Sequence, residues 1–348
     1  MFLPSSLPIV QAPMAGAQGP ALAIAVCQAG GLGSLPCAML TPAQLREQIA
    51  EMRAHTTAPF NVNFFCHAQP VVDEGAHARW FAALAPYYAE AGLDLAAVAP
   101  GAGRNPFDQA MCEVVEDTKP AVVSFHFGLP DEALFDRVRR TGALTLSSAT
   151  TVAEARWLEG RGVDAIIAQG REAGGHRGMF LSRDVDAQPG LFALLPQVVD
   201  AVRKPVIAAG AIADGRGVAA AFALGAAAVQ VGTAYLRTPQ SAISQLHRAA
   251  LAGATDEGTR LTNLYTGRPA RGLVTRLMSE LGPMCDVAPA FPLATAAIAP
   301  LRAAHEKAGR GDFSPLWSGE AGAMAREEDA GVLTRRLWDE AHAVSALR

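Results

Sequence analysis

Residues Pro205–Thr233 read PVIAAGAIADGRGVAAAFALGAAAVQVGT, and they hold one complete strand–helix–strand unit. Pro205–Gly210 is a short apolar run that ends on glycine. Asp214 then offers its carboxylate as an N-cap. An Ala-rich helix follows and stops at Gly225, a residue suited to the left-handed conformation that closes helices. Ala228–Thr233 is a second apolar run. Strands that are apolar at nearly every position are buried on both faces, which is the mark of a parallel sheet.

Six further segments upstream have the same character: Leu7–Met14, Gly31–Cys37, Phe60–Phe65, Val122–Phe127, Leu144–Ala149 and Ala165–Gly170. Most start about 20–30 residues apart, the span of one βα unit. Eight such units predict an α/β fold, a (β/α)8 TIM barrel with its active site at the C-terminal strand ends. An open doubly wound sheet would want G-x-G-x-x-G after the first strand. Ala15-Gly-Ala-Gln-Gly-Pro20 does not match it, and Gly101-Ala-Gly103 does not complete it. Intervening helices carry start signals. Thr41 precedes Pro42 in a helix expected to reach about Arg53, and Thr151 with Glu154 reads as a capping box.

Two spacings depart from the unit. About 56 residues separate Phe65 from Val122, and they include an aromatic helix around Trp80–Ala91. Beyond Thr233 the chain does not close directly. Residues 238–285 mix Gly, Pro and polar breaks with helical pieces such as Ser241–Leu251, and read as a small, mainly helical lid subdomain inserted after strand eight. Pro292–Ala308 is Ala-rich and is expected to return to the barrel wall. The expected organisation is therefore a barrel at 1–237, a lid at 238–285, and C-terminal helices at 286–348.

Composition fits a compact enzyme: 348 residues, 50% hydrophobic, 18% charged, with a net charge of −4. No basic block tracks a phosphate backbone, so no nucleic acid is expected. No apolar run reaches membrane-spanning length. The N-terminus lacks the basic and apolar regions of a signal peptide, so a cytoplasmic location is expected. Cys27, Cys37, Cys66, Cys112 and Cys285 are scattered, and the adjacent Cys66-His67 makes a poor chelate; buried reduced thiols and no metal are expected. The sequence does not fix the oligomeric state; a homodimer is compatible with it.

Chemistry concentrates after strand six, in Gln169-Gly-Arg-Glu-Ala-Gly-Gly-His176. Two glycines let backbone approach a flat ligand, and His176 projects from the loop as a proton acceptor suited to neutral pH. The glycines ending strands seven and eight, Gly210 and Gly232, present backbone N–H groups where barrels bind phosphate, with the helix after Asp214 as a further donor. Asn61 and Asn63 alternate on strand three, where a flavin would satisfy a buried amide. His126 reads as a satisfied core histidine, Arg171 and Glu172 as solvated loop charges, and the aromatics of Trp80–Tyr88 as core.

Gln11-Ala-Pro-Met14, Phe60–Phe65, Ala168–Gly178 and Gln230-Val-Gly-Thr233 together resemble the nitronate monooxygenases, formerly 2-nitropropane dioxygenases, over about Pro8–Gly282. Gly267-Arg-Pro-Ala-Arg-Gly272 and the long insert resemble the bacterial class I branch. The resemblance implies non-covalent FMN contacted by Met14, Asn63, Gln169, Gly174, Gly210, Ala211, Gln230, Gly232 and Thr233. It implies oxidation of alkyl nitronates, such as propionate 3-nitronate, with O2, and His176 as base for neutral nitroalkanes. The family often has glycine where Ala211 stands, a difference that matters if that position needs positive φ. Flavin-dependent enoyl-acyl-carrier-protein reductases and NADH:quinone reductases carry similar runs, so an NAD(P)H-dependent flavin reductase is the alternative. A non-catalytic FMN-binding barrel is the third reading.

Overall fold

The computed structural model describes residues 2–98 and 104–346; the Gly101-Ala-Gly103 run lies outside the described residues. Its strands are β1 Ile9–Gln11, β2 Ser34–Pro36, β3 Asn61–Phe65, β4 Val122–His126, β5 Leu144–Ala149, β6 Ala165–Gln169, β7 Gly175–His176, β8 Val206–Ala209, β9 Ala228–Val231, β10 Thr259–Thr262 and β11 Ala270–Leu273. Eight of them form one parallel sheet in the order β1-β9-β8-β6-β5-β4-β3-β2. Its two ends meet. Val10 bridges Leu32, just ahead of β2; Leu32 N–H donates to Ile9 O at 2.8 Å and Gln11 N–H to Leu32 O at 3.0 Å. The result is the expected (β/α)8 barrel. β5 spans its whole run and β3 all but the first residue; the other strands are shorter than their apolar runs, whose last residues leave the ladder to form the loops at the barrel mouth.

Alternation along the strands separates two cores. Val122, Ala165, Ile167, Ile207 and Ala228 share one buried cluster with Val10 and Leu32 inside the barrel. Val123, Phe125, Ile166, Ala168 and Ala208 join the larger cluster under the surrounding helices. This is the pleat acting on a closed sheet: neighbours in sequence point to opposite faces.

The helix signals act locally as read, with one exception. Thr41 and Gln44 make a reciprocal capping box on helix Pro42–His55. Asp214 caps helix Gly215–Ala223, and Gly225 takes φ +94°. Thr151 Oγ1 accepts the Glu154 N–H at 3.2 Å, but the Glu154 carboxylate does not reach back to Thr151. It accepts from Thr150 at 2.7 Å and from the Phe180 N–H at 2.6 Å. A buried carboxylate takes the donors that lie closest, and here these are Thr150, just ahead of the cap, and the loop beyond His176.

A second lobe stands beside the barrel. Trp80, Leu84, Tyr87 and Tyr88 of helix Glu74–Ala91 pack with Leu264, Tyr265, Leu277 and Phe313, and with Ala297, Ile298 and Leu301 of helix Ala294–Lys307. The aromatics of Trp80–Tyr88 are thus core. Helix Ala294–Lys307 packs here and not on the barrel wall, because its apolar stripe faces the equally apolar insert helix. The helix that does return to the barrel is Ala330–Ala346, against Pro20–Gln28 and Gly215–Ala223. Residues 238–285 are mixed, not mainly helical: helices Gln245–Ala252 and Arg276–Leu281 flank the hairpin β10–β11. That hairpin pairs antiparallel with β7, Ala270 opposite His176. Among the described residues, no helix is long and apolar enough to cross a membrane.

Candidate active site at the barrel mouth

β7 fixes His176. Its backbone is held from below by Gln169, whose Nε2 donates to His176 O at 3.0 Å and whose Oε1 accepts the Gly178 N–H at 2.8 Å. Both ends of the Gln169 amide are therefore engaged by the His176 loop itself. His126 adds a second hold: Nε2 lies 3.2 Å from His176 O, and Nδ1 3.0 Å from Ser148 Oγ. His126 is satisfied, as a core histidine should be, yet it forms the floor of the site. Arg177 is fully buried and braces the same turn. Its guanidinium donates to Gly170 O at 2.6 Å, Gln169 O at 2.8 Å and Gln188 Oε1 at 2.8 Å.

The His176 ring sits among aromatic edges. Phe65, Phe127, Phe291 and Trp317 lie with centroids 6.1, 6.0, 5.4 and 5.5 Å away. Its Nε2 is 3.0 Å from Thr266 Oγ1. The crowding atoms desolvate the ring, and that burial, followed by the charge of Arg104, holds its pKa well below the ordinary histidine value. His126 is pushed down to about 3 and His67 to about 4, each chiefly by burial. The site therefore presents neutral imidazoles, lower in basicity than the loop alone implies.

Glu172 is not a solvated loop charge. Both its carboxylate oxygens accept the Leu191 N–H at 2.9 Å, at the start of helix Leu191–Ala201. A helix N-terminus has free N–H groups, and no other cap is present there. Arg171 does remain a surface charge, paired with Asp186 at 2.9 Å.

The expected cofactor residues fall into two groups. Gly174, Gly210, Ala211, Gly232 and Thr233 converge on one side. A Cβ on Gly210 would lie 3.4 Å from Ala173 N, and one on Gly232 would lie 3.8 Å from Met14 Sδ. Gln230 sits in β9 between Val10 of β1 and Ala209 of β8. Asn63 is across the barrel on β3, its Nδ2 donating to Ser124 Oγ at 2.9 Å. Asn61 turns to Ser34 and Ser124, at 3.0 and 2.9 Å, and lies deeper inside. Gly174 is glycine for a protein neighbour: its missing Cβ makes room for Gly319 N, 2.4 Å from where it would stand. The glycine is required for that backbone contact as well as expected for a flat ligand.

These residues fit a phosphate-bearing cofactor. Among the described residues, the backbone N–H groups of Gly210, Ala211, Gly232 and Thr233 donate to no protein acceptor. Four adjacent free donors make an anion cradle. Ala211 takes φ +51°, a left-handed conformation, so the position the family often fills with glycine does have positive φ. The helix after Asp214 contributes nothing, because Asp214 itself takes the Arg216 and Gly217 N–H groups and Glu340 takes that of Gly215.

Thr266, Arg268, Phe291, Trp317, Gly319, His67 and Arg104 escaped the sequence reading. Thr266 directly precedes the Gly267–Gly272 motif and Arg268 lies inside it, which was a usable signal. The others come from distant segments and carry no periodic mark.

The fold and site define a barrel oxidoreductase with a half-buried histidine beside an anion cradle. The chain matches the family model described as nitronate monooxygenase over residues 2–340. It is 42% identical over 337 residues to the nitronate monooxygenase of Paraburkholderia phytofirmans, covering 95% of this chain and 91% of that protein. With the nitronate monooxygenase of Pseudomonas aeruginosa it shares 40% identity over 339 residues, 96% and 95% of the two chains. The solved nitroalkane oxidase of Streptomyces ansochromogenes superimposes with a TM-score of 0.91 at 44% identity, covering 99% of each chain. The chain belongs to the nitronate monooxygenase family.

Proposed function

We propose that this protein binds FMN and oxidises alkyl nitronates with O2, His176 serving as base when the substrate arrives as a neutral nitroalkane. The carrying observation is a neutral imidazole on a braced loop, ringed by Phe65, Phe127, Phe291 and Trp317, next to four unused backbone donors. Met14, Asn63, Gly210, Ala211, Gln230, Gly232 and Thr233 are positioned to hold the cofactor; Gln169 and Gly174 serve it indirectly, through the loop and the Gly319 segment. Bound FMN supplies the electron acceptor for the nitronate and passes the electrons on to O2.

The protein's own part is proton transfer and binding. Thr266 Oγ1 has two neighbours, His176 Nε2 at 3.0 Å and Arg268 O at 3.4 Å. With the Thr266 hydroxyl hydrogen on the carbonyl, its oxygen accepts from Nε2–H; this is the tautomer the proposal takes, with Nδ1 as the acceptor. Nδ1 has no partner among the described residues. The proton next to a nitro group is acidic, and a neutral imidazole in a desolvated pocket takes it without first losing water. On this reading the β10–β11 hairpin, with helices Glu74–Ala91 and Ala294–Lys307, covers the barrel mouth as a lid.

The test is O2 consumption by the purified protein with propionate 3-nitronate. Turnover is expected. FMN-loaded protein that consumes no O2 overturns the proposal, and rapid anaerobic bleaching of the flavin by NADH points to the reductase alternative.

A further inference from the structure

We infer that Glu154 is a positioning residue for His176: with Arg268 it grips the two ends of one peptide bond, Met179–Phe180, and this clamp sets Thr266 against the imidazole. The inference rests on the reading of His176 as a base.

Glu154 stands in the first turn of helix Val152–Gly160 and is 1% exposed. A buried carboxylate is costly unless donors or a cation compensate it. Oε2 accepts the Thr150 N–H and hydroxyl, each at 2.7 Å. Oε1 accepts the Phe180 and Leu181 N–H groups at 2.6 and 3.1 Å. The Thr150 bonds tie the carboxylate to the end of β5. The Phe180 bond reaches a different segment, the turn that follows β7.

The other end of that peptide belongs to a cation. Met179 O accepts from Arg268 Nη2. The C=O and N–H of a trans peptide point opposite ways from one rigid plane. The guanidinium therefore sits at the negative end of a single peptide dipole and the carboxylate at its positive end. Among the described residues, neither ion forms a direct salt bridge. Arg268 otherwise stacks on Phe127 at 3.8 Å, and its Nε is buried without a partner. Burial pushes Arg268 down to about 10, and the charge that opposes this is that of Glu154. The two ions thus hold each other through the peptide between them. The plane is wedged in place by the Phe180 ring. It packs edge-on to Trp157 of the Glu154 helix, centroids 5.1 Å apart, and a Cβ on Gly128 would stand 3.3 Å from it.

Arg268 carries the clamp to the base. Its carbonyl oxygen accepts the Thr266 hydroxyl at 3.4 Å, and Thr266 Oγ1 lies 3.0 Å from His176 Nε2. Met179 follows His176 closely in the chain, as Arg268 follows Thr266. The clamp therefore locks together the two segments that meet at the Thr266–His176 bond, and Glu154 acts on the imidazole only through them.

The experiment compares kcat/KM for nitroethane, which needs the base, with that for ethyl nitronate, which arrives deprotonated. Glu154→Gln keeps the size and removes the charge. It should cut the nitroethane value about tenfold and the ethyl nitronate value less than about twofold, since a positioned base serves only the first. Arg268→Met should do the same. Arg268→Lys, which keeps a cation and a donor for Met179 O, should recover most of the loss. In a Thr266→Val background, Glu154→Gln should no longer change the ratio, because the contact it serves is gone. A readout without turnover is the His176 Nε2 proton, followed by NMR in protein labelled at its histidine nitrogens and identified by its loss in Thr266→Val. It should be protected from exchange in the wild type and in Arg268→Lys, and lost in Glu154→Gln. An unchanged ratio, or equal losses on both substrates with that proton still protected, overturns the clamp and leaves the nitronate reading standing. No wild-type turnover of either substrate, with the proton still dependent on Glu154, overturns the nitronate reading and keeps the clamp. Where Glu154→Gln does not fold, the contrast between Arg268→Met and Arg268→Lys decides.

Discussion

Gly174 and Gly319 touch backbone to backbone: a Cβ on Gly174 would stand 2.4 Å from Gly319 N. Around them, the Gly319 N–H donates to Thr233 Oγ1 at 2.9 Å and the Glu320 N–H to Glu172 O at 3.0 Å. The contact joins the His176 loop, the end of β9 and the segment after Trp317 into one rim. Gly174→Ala forces that rim apart. We expect a loss of about 1–3 kcal/mol, the usual cost of overpacking, together with weaker FMN retention. Thermal unfolding and the flavin-to-protein absorbance ratio measure both, and an unchanged variant refutes the contact.

Ala211 is the reverse case, a side chain where glycine would sit more easily. Its φ of +51° is left-handed, which costs an L residue about 1 kcal/mol or more. Ala211→Gly should remove that strain, offset in part by the greater freedom of glycine in the unfolded chain. The expected net effect is a small gain in stability, under about 1 kcal/mol, with FMN affinity preserved. Urea unfolding with and without FMN tests it; a clear loss of stability would contradict the strained assignment.

His176→Asn should lower kcat/KM for nitroethane by about a hundredfold or more, and the rate on ethyl nitronate much less, since the nitronate arrives without the proton to be removed. The pH profile gives a second check. Burial and the Arg104 charge disfavour the protonated ring, so the base stays neutral as pH falls past 6.5. The acid limb for nitroethane should therefore lie below the ordinary histidine value. A limb at or above 6.5 argues against His176 as the group observed.

Stability in acid follows from the same burial. His67, His126 and His247 have folded-state pKa values lowered to about 4, 3 and 4, with burial the first cause in each. The unfolded chain protonates these rings near pH 6.5 while the folded chain does not. Stability is thus retained above 6.5 and lost as pH falls from there towards 4, at about 1.4 kcal/mol per pH unit for each histidine involved. Denaturant midpoints between pH 7 and 4.5 should show this decline, and His247→Gln, outside the barrel site, should flatten it by about one histidine's share. A flat profile would rule out neutral burial.

Much of the site was legible because it is local. The His176 loop follows a strand end, and the glycines of β8 and β9 fall at equivalent heights, so alternation and spacing alone locate them. Glu154 and Glu172 misled for one shared reason. Each has a local reading, a capping box and a solvated charge, but each was claimed by backbone donors from another segment. Proximity in sequence cannot reveal which of several unsatisfied N–H groups will reach a carboxylate.

The sequence by itself determined the barrel: eight apolar runs at βα spacing call for a parallel sheet buried on both faces, and the first run lacks the glycine-rich turn that an open dinucleotide-binding sheet would want. It also determined the loop that carries His176 and the glycines of the anion cradle. Tertiary structure alone decided what surrounds them. Helix Ala294–Lys307 chose the insert helix over the barrel because their apolar stripes match. Phe291, Trp317 and Thr266 reached the His176 ring, and His67 and Arg104 reached Phe291, from segments far apart in the chain. Burial at that meeting point set the imidazole's pKa, a property of the packed atoms around it that no motif encodes.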